Sequence, residues 1–296
     1  MTFEHGNGHQ VPTPSGPVYV EIEGDGPPVL LVPGGPGVSH VHYHPWFSRL
    51  ADRHTVVYYD HPGVGRSSRE AGRDAYTLAA YAAAIESIRA HLGAATIALV
   101  GLSFGGLPAI EYTRTHPDRV RRLVLSNAPY SARTWQRGNI DNVNHEISTR
   151  YPELWDRLTA LRERGVSSLA DEYQEIVGVA LPELEWADRL GHRELTRPSE
   201  SVDRYNPDAY EAFLGPDPEW TVGGSLAGYD PAPPPDDLSV LIATGRHDRV
   251  TPVVVAHSLR RDLMPGARLV VFENSAHRPW AEEPDRYFAE LSAFLG

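Results

Sequence analysis

The 296-residue chain contains no cysteine. That excludes disulfides, thiolate metal sites and cysteine nucleophiles together, and it leaves the redox compartment open. Lysine is absent as well, so all 27 basic residues are arginine. Set against 39 acidic residues, they leave a formal charge of −12, the wrong sign for a nucleic-acid partner, because phosphate binding needs a basic patch. No apolar run approaches the roughly 20 residues that cross a bilayer. The opening stretch lacks a basic region followed by an apolar one, so neither a membrane partner nor a signal peptide is expected. Apolar residues at 41% and charged residues at 22% sit close to globular averages, and the length suffices for a substantial core. These features lead us to expect a soluble, cytoplasmic protein of enzyme size.

Short apolar, β-branched runs bounded by Gly, Pro or Asp lie at Val18–Ile22, Val29–Val32, Thr55–Tyr59, Thr96–Val100, Leu123–Leu125, Val240–Ala243 and Leu269–Phe272. Runs this short and continuously apolar predict strands buried on both faces, the mark of a mostly parallel sheet. Helical patterns alternate with them at Leu78–His91, Leu107–His116, Val253–Leu263 and Arg286–Leu295, as in βαβ units. The fold class is therefore α/β. The stretch 129–237 differs: it is rich in Trp, Tyr and charge and carries helical segments at Pro152–Arg164 and Leu169–Val177. It ends in the Pro-rich connector Tyr229–Asp237. It reads as a helical cap inserted into a core formed by 1–128 and 238–296.

Gly101-Leu102-Ser103-Phe104-Gly105 follows one predicted strand and precedes a helical segment. In that setting a sharp turn presents the Ser103 hydroxyl at the carboxyl end of the sheet as a nucleophile. The backbone N–H of Phe104 then faces the place where an oxyanion would form. Asp248 stands at the end of Val240-Leu-Ile-Ala-Thr-Gly-Arg-His-Asp, and His277 just after Leu269–Phe272. The chain order Ser103, Asp248, His277 is that of α/β-hydrolases, with His277 as base and Asp248 fixing its tautomer. Consecutive glycines in Pro33-Gly34-Gly35-Pro36-Gly37 let backbone N–H groups approach a substrate, and Gly35 is the chosen second oxyanion donor. Losing one such donor typically costs about 3–4 kcal/mol of transition-state stabilisation.

Three neighbours compete for roles. Asp60 ends another strand but is expected to fix the turn His61-Pro-Gly-Val-Gly-Arg, and His247 to point away from its neighbour Asp248. His40-Val-His42-Tyr-His44 invites a metal reading, with alternate residues of a strand sharing one face. No carboxylate or cysteine near it in sequence completes a ligand set. We therefore expect a polar loop at the mouth of the site and no metal.

Together these motifs resemble the proline iminopeptidases. Pro33-Gly-Gly-Pro-Gly37, Tyr59-Asp-His-Pro-Gly-Val-Gly-Arg-Ser67, Gly101-Leu-Ser-Phe-Gly-Gly106, Gly245-Arg-His-Asp-Arg-Val-Thr-Pro252 and Ser275-Ala-His277 occur in the family's order across nearly the whole chain. The resemblance implies an α/β-hydrolase core, a helical cap, no cofactor, and release of an N-terminal residue from a peptide or amide. By position, Gly35 and Phe104 match the family's oxyanion donors, and Glu219 matches one of the acidic groups that bind the substrate's ammonium. The chain departs at Pro33, where His is common, and at Arg249, where some relatives carry Glu. The expected substrate is a small peptide or an aminoacylated small molecule. The alternative is an esterase or lipase-like hydrolase with Trp135, Trp155, Trp186, Tyr205 and Trp220 lining an apolar pocket. A hydrolase-fold binding protein without turnover stands last, since the triad is complete.

Overall fold

The computed structural model describes residues 8–187, 205–220 and 223–296. Eight strands form one sheet: β1 (His9–Val11), β2 (Val18–Glu23), β3 (Pro28–Val32), β4 (Thr55–Tyr59), β5 (Ile97–Leu102), β6 (Val120–Ser126), β7 (Val240–Gly245) and β8 (Arg268–Phe272). Their order across the sheet is β1-β2-β4-β3-β5-β6-β7-β8. The β1–β2 and β2–β4 pairs are antiparallel, and every other pair is parallel. The three-residue β1 is an addition to the strands expected from sequence. It caps the antiparallel edge and is too short to carry a hydrophobic pattern of its own.

Alternation along each strand explains why these runs are wholly apolar. Leu30, Val32, Val57, Tyr59 and Leu99 enter one core cluster, while Val29, Leu31, Val56, Tyr58 and Val100 enter the cluster on the opposite face. With side chains pointing to opposite sides at successive residues, a sheet covered on both sides leaves no position for a polar side chain. One cover includes α1 (Leu78–His91) and α2 (Gly106–Thr115), and α1 starts on Thr77, whose hydroxyl accepts from the Ala80 N–H at 3.1 Å.

Between β6 and β7 lie α3 (Ala132–Arg150), α4 (Pro152–Glu163), α5 (Asp171–Glu185) and α6 (Pro207–Leu214), with no strand among the described residues. α5 runs eight residues past the end predicted at Val177, straight through Pro182. α3, α4 and α5 share a small apolar cluster of their own around Ile147, Leu158, Leu161, Tyr173 and Ile176. α6 instead packs onto the sheet domain through Phe213, beside Phe104 and Tyr81. The chain then closes with α7 (Val253–Asp262), α8 (Pro279–Glu282) and α9 (Pro284–Leu295). No helix among the described residues is long and apolar enough to cross a membrane.

Candidate active site

β5 delivers its chain to a 3-10 turn, Ser103–Gly105, and Ser103 takes φ 52° there. A non-glycine residue in the left-handed region is strained and persists only where its surroundings enforce it. Here the enforcement is steric. A side chain at Gly105 would come 2.1 Å from the Val32 carbonyl oxygen, and one at Gly101 would come 2.8 Å from Gly106 Cα. The flanking glycines are thus the condition for so sharp a strand-to-helix turn.

Ser103, Asp248 and His277 meet at the carboxyl edge of the parallel strands. His277 Nε2 lies 3.0 Å from Ser103 Oγ, and His277 Nδ1 lies 2.8 Å from Asp248 Oδ2. Asp248 is buried, whereas the adjacent His247 is exposed. Three further donors hold the carboxylate: Asn127 Nδ2 on Oδ2 at 2.6 Å, and the N–H groups of Val250 and Thr251 on Oδ1, both at 2.8 Å. With Asp248 accepting at every turn, Nδ1 of His277 is the protonated nitrogen and Nε2 presents a lone pair to the serine hydroxyl. Burial works against a charge on His277, but the Asp248 carboxylate, and Glu185 beyond it, outweigh that and raise its pKa above the ordinary histidine value. Asn127 was not anticipated. Its signal in sequence is only its place after β6, and its φ of 49° aims the amide at both Asp248 and the Ala276 carbonyl, 3.1 Å away.

The glycine loop runs beside the serine: a side chain at Gly34 would come 3.2 Å from Ser103 Cβ. Gly34 N–H donates to Tyr43 Oη at 2.7 Å. The Pro33 carbonyl faces His61 Nε2 at 3.1 Å, and Tyr59 Oη stands 3.2 Å from His61 Nδ1. Complete burial holds the His61 pKa down to about 3, so this imidazole is neutral and its Nε2–H donates to the loop. At the far end of the loop, Asn206 N–H donates to the Gly37 carbonyl at 3.0 Å, which ties the start of α6 to the same segment. Gly35, one expected donor, therefore lies on backbone held at both ends of the loop, and Phe104, the other, follows Ser103 on the 3-10 turn.

Asp60 belongs elsewhere. It is buried and accepts from Ser39, from His40 and from the Arg66 N–H, so it fixes the turn that follows β4. His40-Val-His-Tyr-His44 does not form the strand considered from sequence. Residues His40–Tyr43 form a 3-10 turn, which sends His40 and His44 to a shared buried pocket with Glu21.

Glu185 went unnoticed in the sequence, and it ends α5 against the site. Its carbonyl accepts from the His277 N–H at 3.0 Å, and its carboxylate pairs with Arg278 at 2.7 Å. Burial would raise its pKa, yet Arg278 and His277 overcome this and hold it below the usual carboxylate range. Glu219 sits farther into the inserted helices. It pairs with Arg162, which also reaches Asn144 and Tyr173, and it lines a cavity of about 70 Å³ among Asn139, Asn144, Gln174 and Tyr210. Neither Ser103 nor His277 lines that cavity. The Arg249 guanidinium pairs with Glu146 on α3 at 2.6 Å. Of the aromatic residues considered, Trp135 and Trp186 are buried, Trp155 is half-buried, and Tyr205 and Trp220 are exposed.

This architecture and these motifs are those of the α/β-hydrolase fold family, whose model matches residues 27–284, and the chain belongs to it. It is similar to the proline iminopeptidase of Lactobacillus delbrueckii subsp. bulgaricus, at 31% identity over 94% of this chain and 93% of that protein. It is 27% identical to the proline iminopeptidase of Heyndrickxia coagulans over 92% and 91% of the two chains. The crystal structure of the Mycobacterium smegmatis proline iminopeptidase superposes with a TM-score of 0.72 at 22% identity, covering 98% of this chain and 97% of that one, a likeness of fold. Within the α/β-hydrolases, this chain is a hydrolase of the proline iminopeptidase family.

Proposed function

We propose that this chain releases an N-terminal residue from a small peptide or an aminoacylated small molecule, through an acyl-enzyme on Ser103. The observation that carries the reading is the continuous relay Ser103–His277–Asp248, with spacings of 3.0 and 2.8 Å, in a chain of this family. His277 takes the hydroxyl proton as Ser103 attacks the carbonyl carbon, then gives it to the leaving amine. Water activated by His277 next attacks the acyl carbon and frees the acid. The N–H groups of Gly35 and Phe104 receive the developing oxyanion. No cofactor enters this sequence, and the cytoplasm is the proposed compartment.

Residues 129–237 act as the cap in this reading, because α6 rests on Phe104 and α5 brings Glu185 to His277. Glu185 and Glu219 are the acidic groups proposed to attract the substrate's ammonium. Each already has an arginine partner, Arg278 and Arg162 respectively, so each would share its charge between two cations. Arg249 does not oppose an ammonium, since Glu146 holds it.

The test is kinetic. Prolyl and alanyl arylamides with the amine free should be hydrolysed, and the same compounds with the amine acylated should lose at least about 100-fold in kcat/KM, the scale of about 3 kcal/mol for a charged contact. Equal turnover of free and blocked compounds defeats amine recognition. Faster turnover of simple alkyl esters than of any aminoacyl amide would favour the esterase instead. Failure of a fluorophosphonate to label Ser103 would remove catalysis altogether.

A further inference from the structure

We propose that Glu21, His40 and His44 hold a divalent cation, Zn²⁺ by the chemistry of the donors, and that this ion fastens the glycine loop to the antiparallel edge of the sheet. One ligand atom from each of the three residues lies within 4.8 Å of the others. The spacings are informative. His40 Nε2 is 3.4 Å from Glu21 Oε1, and His44 Nε2 is 3.2 Å from Glu21 Oε2. Those are long for charge-assisted hydrogen bonds, which run at about 2.7–2.9 Å. Each is the spacing of two neighbouring donors on a tetrahedral ion, which bonds of about 2.0–2.1 Å place about 3.4 Å apart, with the two histidines facing different oxygens of Glu21. His40 Nε2 is buried and makes no hydrogen bond.

The surroundings are built for the purpose. His40 donates Nδ1–H to Asp60 Oδ1 at 2.7 Å, the carboxylate–histidine arrangement that fixes the tautomer and leaves Nε2 free to coordinate a metal. His44 stacks on Tyr58, with ring centroids 4.0 Å apart. Side-chain exposure is 0% for His40 and 4% for both His44 and Glu21. The local charges also favour a cation. Glu21 and Asp60 are buried and face the guanidinium of Arg66, 3.3 Å from Glu21, while Glu23, 3.6 Å from His44, is about a third exposed. With neutral imidazoles, one buried negative charge remains. A metal ion or a proton on a histidine balances it, and buried charge without such balance is costly. Arg66 and the Tyr19 hydroxyl also contact Glu21 Oε1, so an ion seated on Oε2 beside His44 draws His40 Nε2 toward it from its place 3.4 Å from Oε1.

The experiment uses the full-length chain without a polyhistidine tag, stripped with EDTA and dialysed. Titration with CoCl₂ should saturate at one ion per chain and give the visible bands of a low-coordinate N/O site, and ZnCl₂ should abolish them by displacement. The unfolding temperature should rise with free Zn²⁺, as mass action requires of an ion bound only by the native state. His44→Gln and Glu21→Gln should each weaken Co²⁺ uptake by about 10–100-fold or more, the range seen when metal-site partners are removed. The wild-type titration stands even if a variant does not fold. No saturable uptake of Co²⁺ or Zn²⁺ by the wild type, or uptake unchanged in both variants, overturns the proposal and leaves protons as the balancing charge. Neither outcome depends on which substrate the enzyme cleaves.

Discussion

The central strands and the inserted helices differ in how many constraints act on each residue. In β3, Leu30 and Val32 fill one core while Val29 and Leu31 fill the other, and all four are fully buried. Every position is thus forced to be apolar, and the run announces itself. In α3 a single stripe including Val143 and Ile147 packs inward, and the buried set also contains Gln136 and Glu146. Residues outside that stripe answer only to solvent, so both the limits of the helix and its orientation depend on what it meets. The proposed chemistry follows the doubly constrained region: Ser103 and Asp248 hang from strand ends, and His277 follows β8. In the proposed function the inserted helices contribute approach, charge and cover.

The largest expected effect tests that division. Ser103→Ala or His277→Ala should each lower kcat by about 10⁶-fold, the scale seen for removal of a single triad member, with the circular dichroism of the fold unchanged. Asp248→Asn should cost about 10⁴-fold and should also move the pH profile. The base must be neutral to work, so kcat/KM should fall as pH drops through the His277 pKa, which lies above the ordinary histidine value. Removing the Asp248 charge takes away the largest influence raising that pKa, so the acid limb of the residual activity should shift to lower pH. An unshifted limb would mean that another group sets it.

What could be read from the sequence tracks the same contrast. Ser103, Asp248 and His277 were legible because each sits at a strand end whose hydrophobic run fixes its place in the sheet, and chain order did the rest. Asn127 was hidden because its role depends on a φ of 49° that no side-chain pattern encodes. Glu185 was hidden because the helical pattern ends at Val177, whereas α5 continues through Pro182 to Glu185 and only tertiary packing sets it against His277. The histidine pocket was hidden for a topological reason. Its carboxylate, Glu21, comes from β2, which pairs with β4 and so lies beside a loop remote from it in sequence.

A pair of cavities sharpens the comparison at intermediate size. Leu99→Ala and Leu158→Ala both empty fully buried sites, and each should cost about 2–5 kcal/mol by transfer and cavity terms. They should be felt in different places. Leu99 lies within the sheet core, so its loss should lower protection against hydrogen exchange throughout the strands. Leu158 belongs to the separate cluster of α3, α4 and α5, so its loss should speed exchange in those helices first and raise KM before kcat. Uniform loss of protection in both variants would show that sheet and insertion unfold as one unit.

The smallest effect concerns the seam between the two regions. Arg249 follows Asp248 directly and reaches Glu146 on α3 at 2.6 Å, with about a third of its side chain exposed and Glu146 almost wholly buried. Removing one partner of a buried pair is usually costly, but two features soften it here. Glu146 keeps Arg150, 2.7 Å away. The Arg249 carbonyl also accepts from Asn142 Nδ2 at 2.8 Å, a link that no side-chain change at 249 removes. Arg249→Gln should therefore cost about 1 kcal/mol of stability or less, discounted for exposure, and change kcat/KM by no more than a few-fold. A loss beyond ten-fold in kcat with KM unchanged would mean that α3 positions Asp248 for the chemistry. The inserted helices would then share in catalysis, and the division between the two regions would fail at its seam.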